Sequence, residues 1–282
     1  MSLFRFDKCC KGKEGEDYEP LANDNVDVES NNNYGAASTL TKTLALIPKK
    51  TRNNNVGAAL NIVSLSDSSN LFSASSLAFP QGSITVIVGP SGCGKSIFTT
   101  SIVGINNLVA NRNITVADFN GEETNHLSFA SFRSKVAFVP QDLPHLSDAT
   151  AMNFFEEVIG YKAVKARARS IGIKRERELY CARLKENASL LNLDVCDLDE
   201  KNLAELSGGM RQRIFIAMVF SLHFRIIILD EPTSALDDYH TQIVENFIVA
   251  AATRKDKPVT VIMTSHDMKQ KDRLADFVID MT

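Results

Sequence analysis

Residues 89–96 read GPSGCGKS, a glycine-rich run with a single lysine inside it. The run before it, SITVIV, is apolar and rich in β-branched residues, which favours a strand, and the run after it, IFTTSIVGI, can form a helix. Glycine adopts backbone angles that a Cβ would forbid, so the N–H groups of such a turn can point into one concavity beside the positive N-terminal end of the helix. The stretch therefore predicts an anion site at a strand–turn–helix junction.

The same run fits the pattern G-x-x-x-x-G-K-[ST] of a nucleoside triphosphate-binding loop. In that pattern the lysine ammonium contacts the β- and γ-phosphates and the next hydroxyl is a ligand of Mg²⁺. Lys95 and Ser96 hold these positions. The alternative is an ordinary glycine-rich turn. The residues predicted to bind nucleotide here are Gly89, Pro90, Ser91, Gly92, Cys93, Gly94, Lys95, Ser96 and Ile97.

The composition is that of an ordinary globular protein. The chain has 282 residues, of which 44% are hydrophobic and 23% charged, and its net charge of −3 gives no reason to expect a nucleic-acid partner. No apolar run approaches the roughly 18 residues that suggest a membrane span, and we expect no secretory leader, because the sequence becomes polar within a few residues of its start. The five cysteines have no metal-type spacing, so we expect a reducing, cytoplasmic location.

The first 56 residues differ from the rest, because they are polar and show no sustained hydrophobic period. We predict a disordered tail over residues 1–56 and a folded domain over residues 57–282. Cys9 and Cys10 lie among lysines after the apolar MSLFRF, so S-acylation could hold the tail on a membrane. The alternative, which we favour, is an unmodified flexible tail.

In the folded part, strand-like runs alternate with helix-like runs, which predicts an α/β fold with a parallel sheet. The run RIIILDEP, residues 225–232, is a buried strand that ends in two carboxylates. We expect Asp230 to hold Mg²⁺ through its water shell. Glu231, one residue further, could polarise the attacking water as general base.

Residues 203–213, LAELSGGMRQR, complete the pattern. Ser207, Gly208 and Gly209 form a second anion nest at the start of a helix. This stretch resembles the LSGGQ signature of the ABC ATPases, the nucleotide-binding domains of ABC transporters. The resemblance implies that the second nest closes, head to tail, on ATP held by another protomer.

Three further residues match motifs of that family in order. Gln141 in VPQD matches the residue whose amide reaches Mg²⁺ and the attacking water. Asp237 in SALD matches the loop that crosses the dimer interface. His266 in SHD matches the histidine that contacts the γ-phosphate. The resemblance thus makes Glu231, His266 and Gln141 catalytic, and it makes Ser96, Gln141 and Asp230 metal ligands.

The resemblance also implies a fold and a function. The fold is a P-loop NTPase core with a mainly parallel sheet, an N-terminal antiparallel β subdomain and an inserted α-helical subdomain at about residues 142–224. The function is hydrolysis of ATP with Mg²⁺, on the cytoplasmic face of a membrane, to power transport through a transmembrane partner on a separate chain. The alternatives are a soluble ABC ATPase acting on ribosomes or in assembly, and a non-catalytic ATP-gated module.

The sequence departs from the family at several places. No aromatic residue stands at Ser66–Ser69, where the family stacks adenine, and the nearest one, Phe72, aligns with a core position. Ile97 replaces the usual threonine and Met210 the signature glutamine. The family usually continues with a hairpin after its last core strand, here FVID, so we expect either that the transmembrane domain is another chain or that this chain is part of a longer product. The missing aromatic predicts weak discrimination between nucleotide bases.

Overall fold

The structure is a computed structural model that describes residues 42–50, 57–69, 71–105, 109–117, 123–124, 132–143, 149–170 and 172–282. The strands are β1 (Lys42–Leu44), β2 (Ile47–Pro48), β3 (Ala58–Asp67), β4 (Phe72–Pro80), β5 (Ile84–Val88), β6 (Val109–Ala117), β7 (Glu123–Thr124), β8 (Val136–Val139), β9 (Ile226–Leu229), β10 (Thr260–Ser265) and β11 (Phe277–Asp280). The helices are α1 (Lys95–Val103), α2 (Ala151–Gly160), α3 (Lys162–Ser170), α4 (Glu176–Leu190), α5 (Asp197–Glu200), α6 (Gly208–Ser221), α7 (Asp238–Ala252) and α8 (Met268–Leu274).

A six-stranded sheet forms the centre of the fold, with the strand order β2-β11-β5-β10-β9-β8. All its pairs are parallel except β2 with β11. Every residue of β5, β8, β9 and β10 is buried, as expected of parallel strands covered on both faces. This sheet confirms the predicted mainly parallel core.

The second sheet has the order β1-β4-β3-β6-β7 and is antiparallel except where β1 pairs with β4. Its apolar side chains form one buried cluster with α1 and one face of the central sheet, including Phe72, Phe98 and Ile87. On the other face, Val86 and Val88 join a larger cluster with α2, α4, α6 and α7. The helices α2 to α6 come between β8 and β9 in the chain, which confirms the antiparallel subdomain and the helical insertion of the predicted fold class.

Residues 42–50 contradict the prediction that residues 1–56 form a disordered tail. Within this segment, which we call the strap, β1 pairs with β4 and β2 pairs with β11, so the strap joins both sheets. Leu44 is buried in the smaller sheet's cluster. The strap's strands have three and two residues, too few for a period-two pattern to be recognised in a polar sequence. Residues 1–41 and 51–56 lie outside the described residues, and so does the predicted acylation of Cys9 and Cys10.

The strap is also fixed by hydrogen bonds near its ends. Lys42 donates its Nζ to the Met281 carbonyl at 2.5 Å. The backbone N–H groups of Lys49 and Lys50 donate to the Asp276 carbonyl at 2.7 and 3.2 Å. The strap therefore lies along the outer edge of the central sheet, beside β11. In the part of the chain that the structure describes, no helix combines the length and apolarity that a membrane crossing needs.

Candidate nucleotide-binding and hydrolysis site

The site residues follow the carboxyl ends of four neighbouring strands. The glycine-rich turn follows β5, Asp230 and Glu231 follow β9, His266 follows β10, and Gln141 comes two residues after β8. Because these strands are parallel and adjacent, their carboxyl ends share one edge of the sheet. Ligands of open α/β sheets bind at that edge.

The turn itself needs its glycines for two different reasons. Gly92 and Gly94 have φ angles of 77° and 102°, in the left-handed region that favours glycine. At Gly89 the reason is close approach, since a Cβ there would lie 2.7 Å from the Cys93 sulfur and 3.2 Å from the Met281 backbone. The Cys93 side chain therefore folds back over the start of the turn, and the turn closes directly in front of α1.

Lys95 lies inside this turn, with only 5% of its surface exposed. Its Nζ donates to the carbonyls of Gly89 at 2.9 Å and Pro90 at 3.1 Å. The Glu231 Oε1 atom lies 3.8 Å from the same ammonium. The lysine is thus held over the turn, and its charge lies beside the carboxylate that follows β9.

Asp230 and Glu231 are positioned by one hydroxyl on the neighbouring strand. The Thr264 hydroxyl donates to Asp230 Oδ1 at 2.6 Å and accepts from the Glu231 N–H at 2.8 Å. Asp230 is 4% exposed. Thr264 was not predicted to belong to the site, although its hydroxyl inside the apolar run VTVIMT could have indicated a functional residue. Thr264 fixes the distance between the predicted metal ligand and the predicted base.

Glu231 connects the lysine to the histidine. Its Oε2 lies 3.3 Å from His266 Nδ1 and its Oε1 3.8 Å from Lys95 Nζ. Its φ of 46° puts a non-glycine residue in the left-handed region, a conformation that costs about 1–3 kcal/mol and is concentrated at functional sites. The structure therefore brings together three of the predicted residues in a line, with Asp230 buried behind them.

The second nest lies on another part of the molecule. Ser207 caps α6, its Oγ accepting from the Met210 N–H at 3.2 Å. A Cβ on Gly209 would lie 3.0 Å from both the Ala235 carbonyl oxygen and a Leu236 methyl. The loop that contains Ser207, Gly208 and Gly209 therefore packs against the SALD turn of the same chain. Ser207 and Gly208 themselves are exposed.

Asp237 ends that turn and caps α7. Its carboxylate accepts from the His240 backbone N–H at 2.8 Å and from the His240 ring nitrogen at 2.8 Å. These two bonds, the backbone one first, lower the pKa of Asp237 below its ordinary value. No pattern in the sequence indicated a role for His240. Asp237 remains exposed at the surface.

Three predicted elements are not joined to the Lys95–Glu231–His266 line. Among the described residues, no hydrogen bond or ion pair links that line to Gln141, to the Ser207–Gly209 nest or to Asp237. Gln141 is exposed at the end of its strand. One chain thus presents the two predicted anion-binding elements separately, and the second of them faces solvent.

The family model described as ABC transporter matches residues 72–234, which contain the glycine-rich turn, both carboxylates and the second nest. The chain belongs to the ABC transporter family. Its relatives identify it as an ABC-type ATPase. The predicted recognition, fold and enzyme class are therefore confirmed.

Two curated relatives are ATP-binding subunits of importers. The phosphate import ATP-binding protein PstB 1 of Enterococcus faecalis is 33% identical over 207 residues, which are 71% of this chain and 75% of that protein. PstB of Colwellia psychrerythraea is 34% identical over 206 residues, 71% of this chain and 68% of that protein. A dimeric bacterial ABC transporter cassette has the same fold, with a TM-score of 0.60 at 20% identity, over 77% of this chain and 94% of that one.

The residues of this ABC ATPase suit ATP and Mg²⁺. The backbone N–H groups at the start of α1 and the Lys95 ammonium match triphosphate oxygens. Ser96 is exposed beside them, and Asp230 and Gln141 add oxygen atoms at the same edge. Mg²⁺ prefers such oxygen ligands and is usually held by one or two carboxylates plus substrate phosphates. Phe72, in contrast, is fully buried edge-on against Phe98, at 5.2 Å, and cannot stack on a base.

Proposed function

We propose that this ABC ATPase is the motor subunit of a transporter, and that it drives transport through a transmembrane partner on a separate chain. The relatives PstB 1 and PstB are named as phosphate import ATP-binding proteins. The observation that carries the proposal is the Lys95–Glu231–His266 line at the carboxyl edge of the sheet, together with the second, exposed nest.

In this proposal, Lys95, Glu231 and His266 carry out the hydrolysis step. Glu231 accepts a proton from the attacking water through its carboxylate, and His266, 3.3 Å away, orients that carboxylate and contacts the γ-phosphate. Lys95 leaves the carbonyls of the turn and neutralises the β- and γ-phosphates. Mg²⁺, when bound, polarises phosphate oxygens as a Lewis acid, and Ser96, Gln141 and Asp230 would hold it.

A second chain completes each site in this proposal. The nest of Ser207, Gly208 and Gly209 has N–H groups for a phosphate, but it is not connected to the line of its own chain. In a head-to-tail pair, each nest faces the ATP on the other chain, and Asp237 lies at the interface. ATP therefore joins the two chains, and hydrolysis separates them.

Co-purification from native membranes tests the transport role. A tagged full-length chain is expected to recover a multi-span membrane protein and to sediment with membranes through it. Phosphate is the first substrate to test in vesicles that contain the pair, because the curated relatives are named as phosphate import ATP-binding proteins. Recovery of ribosomal proteins without any membrane protein would instead support the soluble alternative.

A further inference from the structure

A second cleft, of about 580 Å³, opens at the opposite edge of the central sheet from the nucleotide site. It lies between α4, the loop that precedes β9 and the loop that precedes β10. Both strands begin there, whereas their other ends carry Asp230, Glu231 and His266. Nothing in the proposed hydrolysis step uses this cleft, and its volume suits a small organic ligand.

The cleft carries more positive than negative side chains. The cations at its wall are Arg183, Arg225, Arg254 and Lys257, and the anions are Glu186 and Asp256, so the balance is 4 − 2 = +2. Across the described part of the chain, none of Arg183, Arg254 and Lys257 is in an ion pair, whereas Lys49, Arg177, Lys185, Lys201, Lys271 and Arg273 each contact a carboxylate. The charges of Arg183, Arg254 and Lys257 are therefore available to a ligand in the cleft.

His223 also lines the cleft, beside Arg183. Its Nε2 contacts the guanidinium of Arg183, and its Nδ1 is buried without a hydrogen-bond partner. Burial first, and then the charges of Arg183 and Lys257, lower the pKa of His223 to about 4. The imidazole is thus neutral at pH 7. Because a guanidinium can only donate, Nε2 accepts and the proton is on Nδ1.

The rest of the wall is apolar. Phe220, Phe224 and Pro258 line the cleft beside the cations. The guanidinium of Arg167 lies over the Phe224 ring at 3.6 Å and holds that ring in place. The cleft therefore combines a fixed apolar wall with a set of cations, which suits an anion that also has an organic part.

We propose that this cleft is a binding site for a small phosphorylated molecule with two or more negative charges. Guanidinium groups bind phosphate oxygens with charge-assisted hydrogen bonds, and two charges on the ligand balance those of the wall. Such a ligand contacts α4 and both loops at once, so it connects the helical part of the molecule to the strands that carry the hydrolysis residues. Soluble phosphate esters and the headgroup of a phosphatidic acid share this chemistry.

Calorimetric titration with inorganic pyrophosphate tests the site in the full-length chain. A saturating non-hydrolysable ATP analogue with Mg²⁺ keeps the glycine-rich turn filled, and the same titration without protein subtracts the heat of pyrophosphate binding to Mg²⁺. We expect one binding event in the wild type, and at least tenfold weaker binding in Arg254→Gln and in Lys257→Gln. Lys255→Gln is the matched control, because Lys255 is an exposed cation of the same loop that does not line the cleft. Its affinity should stay within twofold.

Two results overturn the proposal. One is the absence of binding heat in the wild type, and the other is an equal loss in Lys255→Gln and Arg254→Gln. Flotation with vesicles that contain phosphatidic acid separates the two sources of ligand, since lipid binding that depends on Arg254 identifies a headgroup. ATP hydrolysis by the same variants reports on the nucleotide site independently.

Discussion

At the scale of single residues, Glu231 shows what a sequence can and cannot reveal. Its place after a buried strand and an aspartate predicted a carboxylate at the phosphate edge, and the structure has it there. Its left-handed backbone, with φ of 46°, could not be predicted, because glutamate rarely adopts it. The neighbouring contacts impose that conformation, above all the bond from the Glu231 N–H to Thr264.

Glu231→Gln is expected to lower ATP hydrolysis by about 10²–10⁴-fold, because the amide cannot accept the proton of the attacking water. ATP binding should remain, since the glutamine keeps the shape of the side chain, and the variant should accumulate as an ATP-dependent dimer. Phosphate release and size-exclusion chromatography measure the two effects. Glu178→Gln, at an exposed carboxylate of α4, is the control. Wild-type turnover in Glu231→Gln would remove this residue from the mechanism.

Base selection is the second prediction at this scale. Phe72 is buried against Phe98, and Ser66 and Ser69 offer no ring to adenine. Stacking of a base on an aromatic side chain is worth roughly 1–3 kcal/mol in nucleic-acid complexes. We therefore expect GTP and ATP to be hydrolysed with comparable kcat/KM. A kcat/KM for GTP a hundredfold below that for ATP would show that another residue recognises the base.

At the scale of elements, long apolar runs predicted the buried strands, whereas networks of side-chain hydrogen bonds could not be predicted from the sequence. β5, β9 and β10 followed from continuous apolar stretches, and α6 followed from the glycines that begin it. The link between α7 and α8 had no signal in the sequence, because it depends on Glu245, a single acidic residue on a helix. Its carboxylate is 3% exposed and accepts from Gln270 at 3.1 Å and from Arg273 at 2.8 and 2.6 Å.

This network lines a cleft of about 590 Å³ that reaches Glu231 and His266. Glu245→Ala should lower the free energy of unfolding by about 1–3 kcal/mol, because it removes one of the two acceptors of the buried Gln270 amide and leaves only the Thr233 hydroxyl. The loss is limited by Arg273, which is 46% exposed and can turn to water. Urea unfolding measures the change. Glu245→Gln, which keeps one acceptor oxygen, should lose less, and an equal loss in both variants would refute the network as the cause.

At the scale of the whole molecule, the strap holds the two sheets together at one edge. It was missed because its strands are short and its partners, β4 and β11, are remote in sequence. Only the folded arrangement shows that Lys42 and Met281 meet. The boundary of the folded part was therefore the feature that local patterns could least predict.

Removal of the strap is expected to destabilise the fold. A chain that starts at residue 51 loses the buried Leu44, worth roughly 1.5–3 kcal/mol, and uncovers the edge of β11. Its Tm should fall by roughly 5 °C or more. A chain that starts at residue 42 is the control and should keep the Tm of the full-length protein. Equal melting of the two shortened chains would show that the strap adds no stability.

The strap also sets an order of events during synthesis. The ribosome makes Ile47 early, but its partner Val278 emerges only near the other end of the sequence. At about 5–20 residues per second, the strap waits on the order of ten to fifty seconds for β11. During that time β2 has no partner strand, although β4, the partner of β1, has already been made. The open edge of β2 is therefore accessible to chaperones and proteases until β11 has emerged and paired with it.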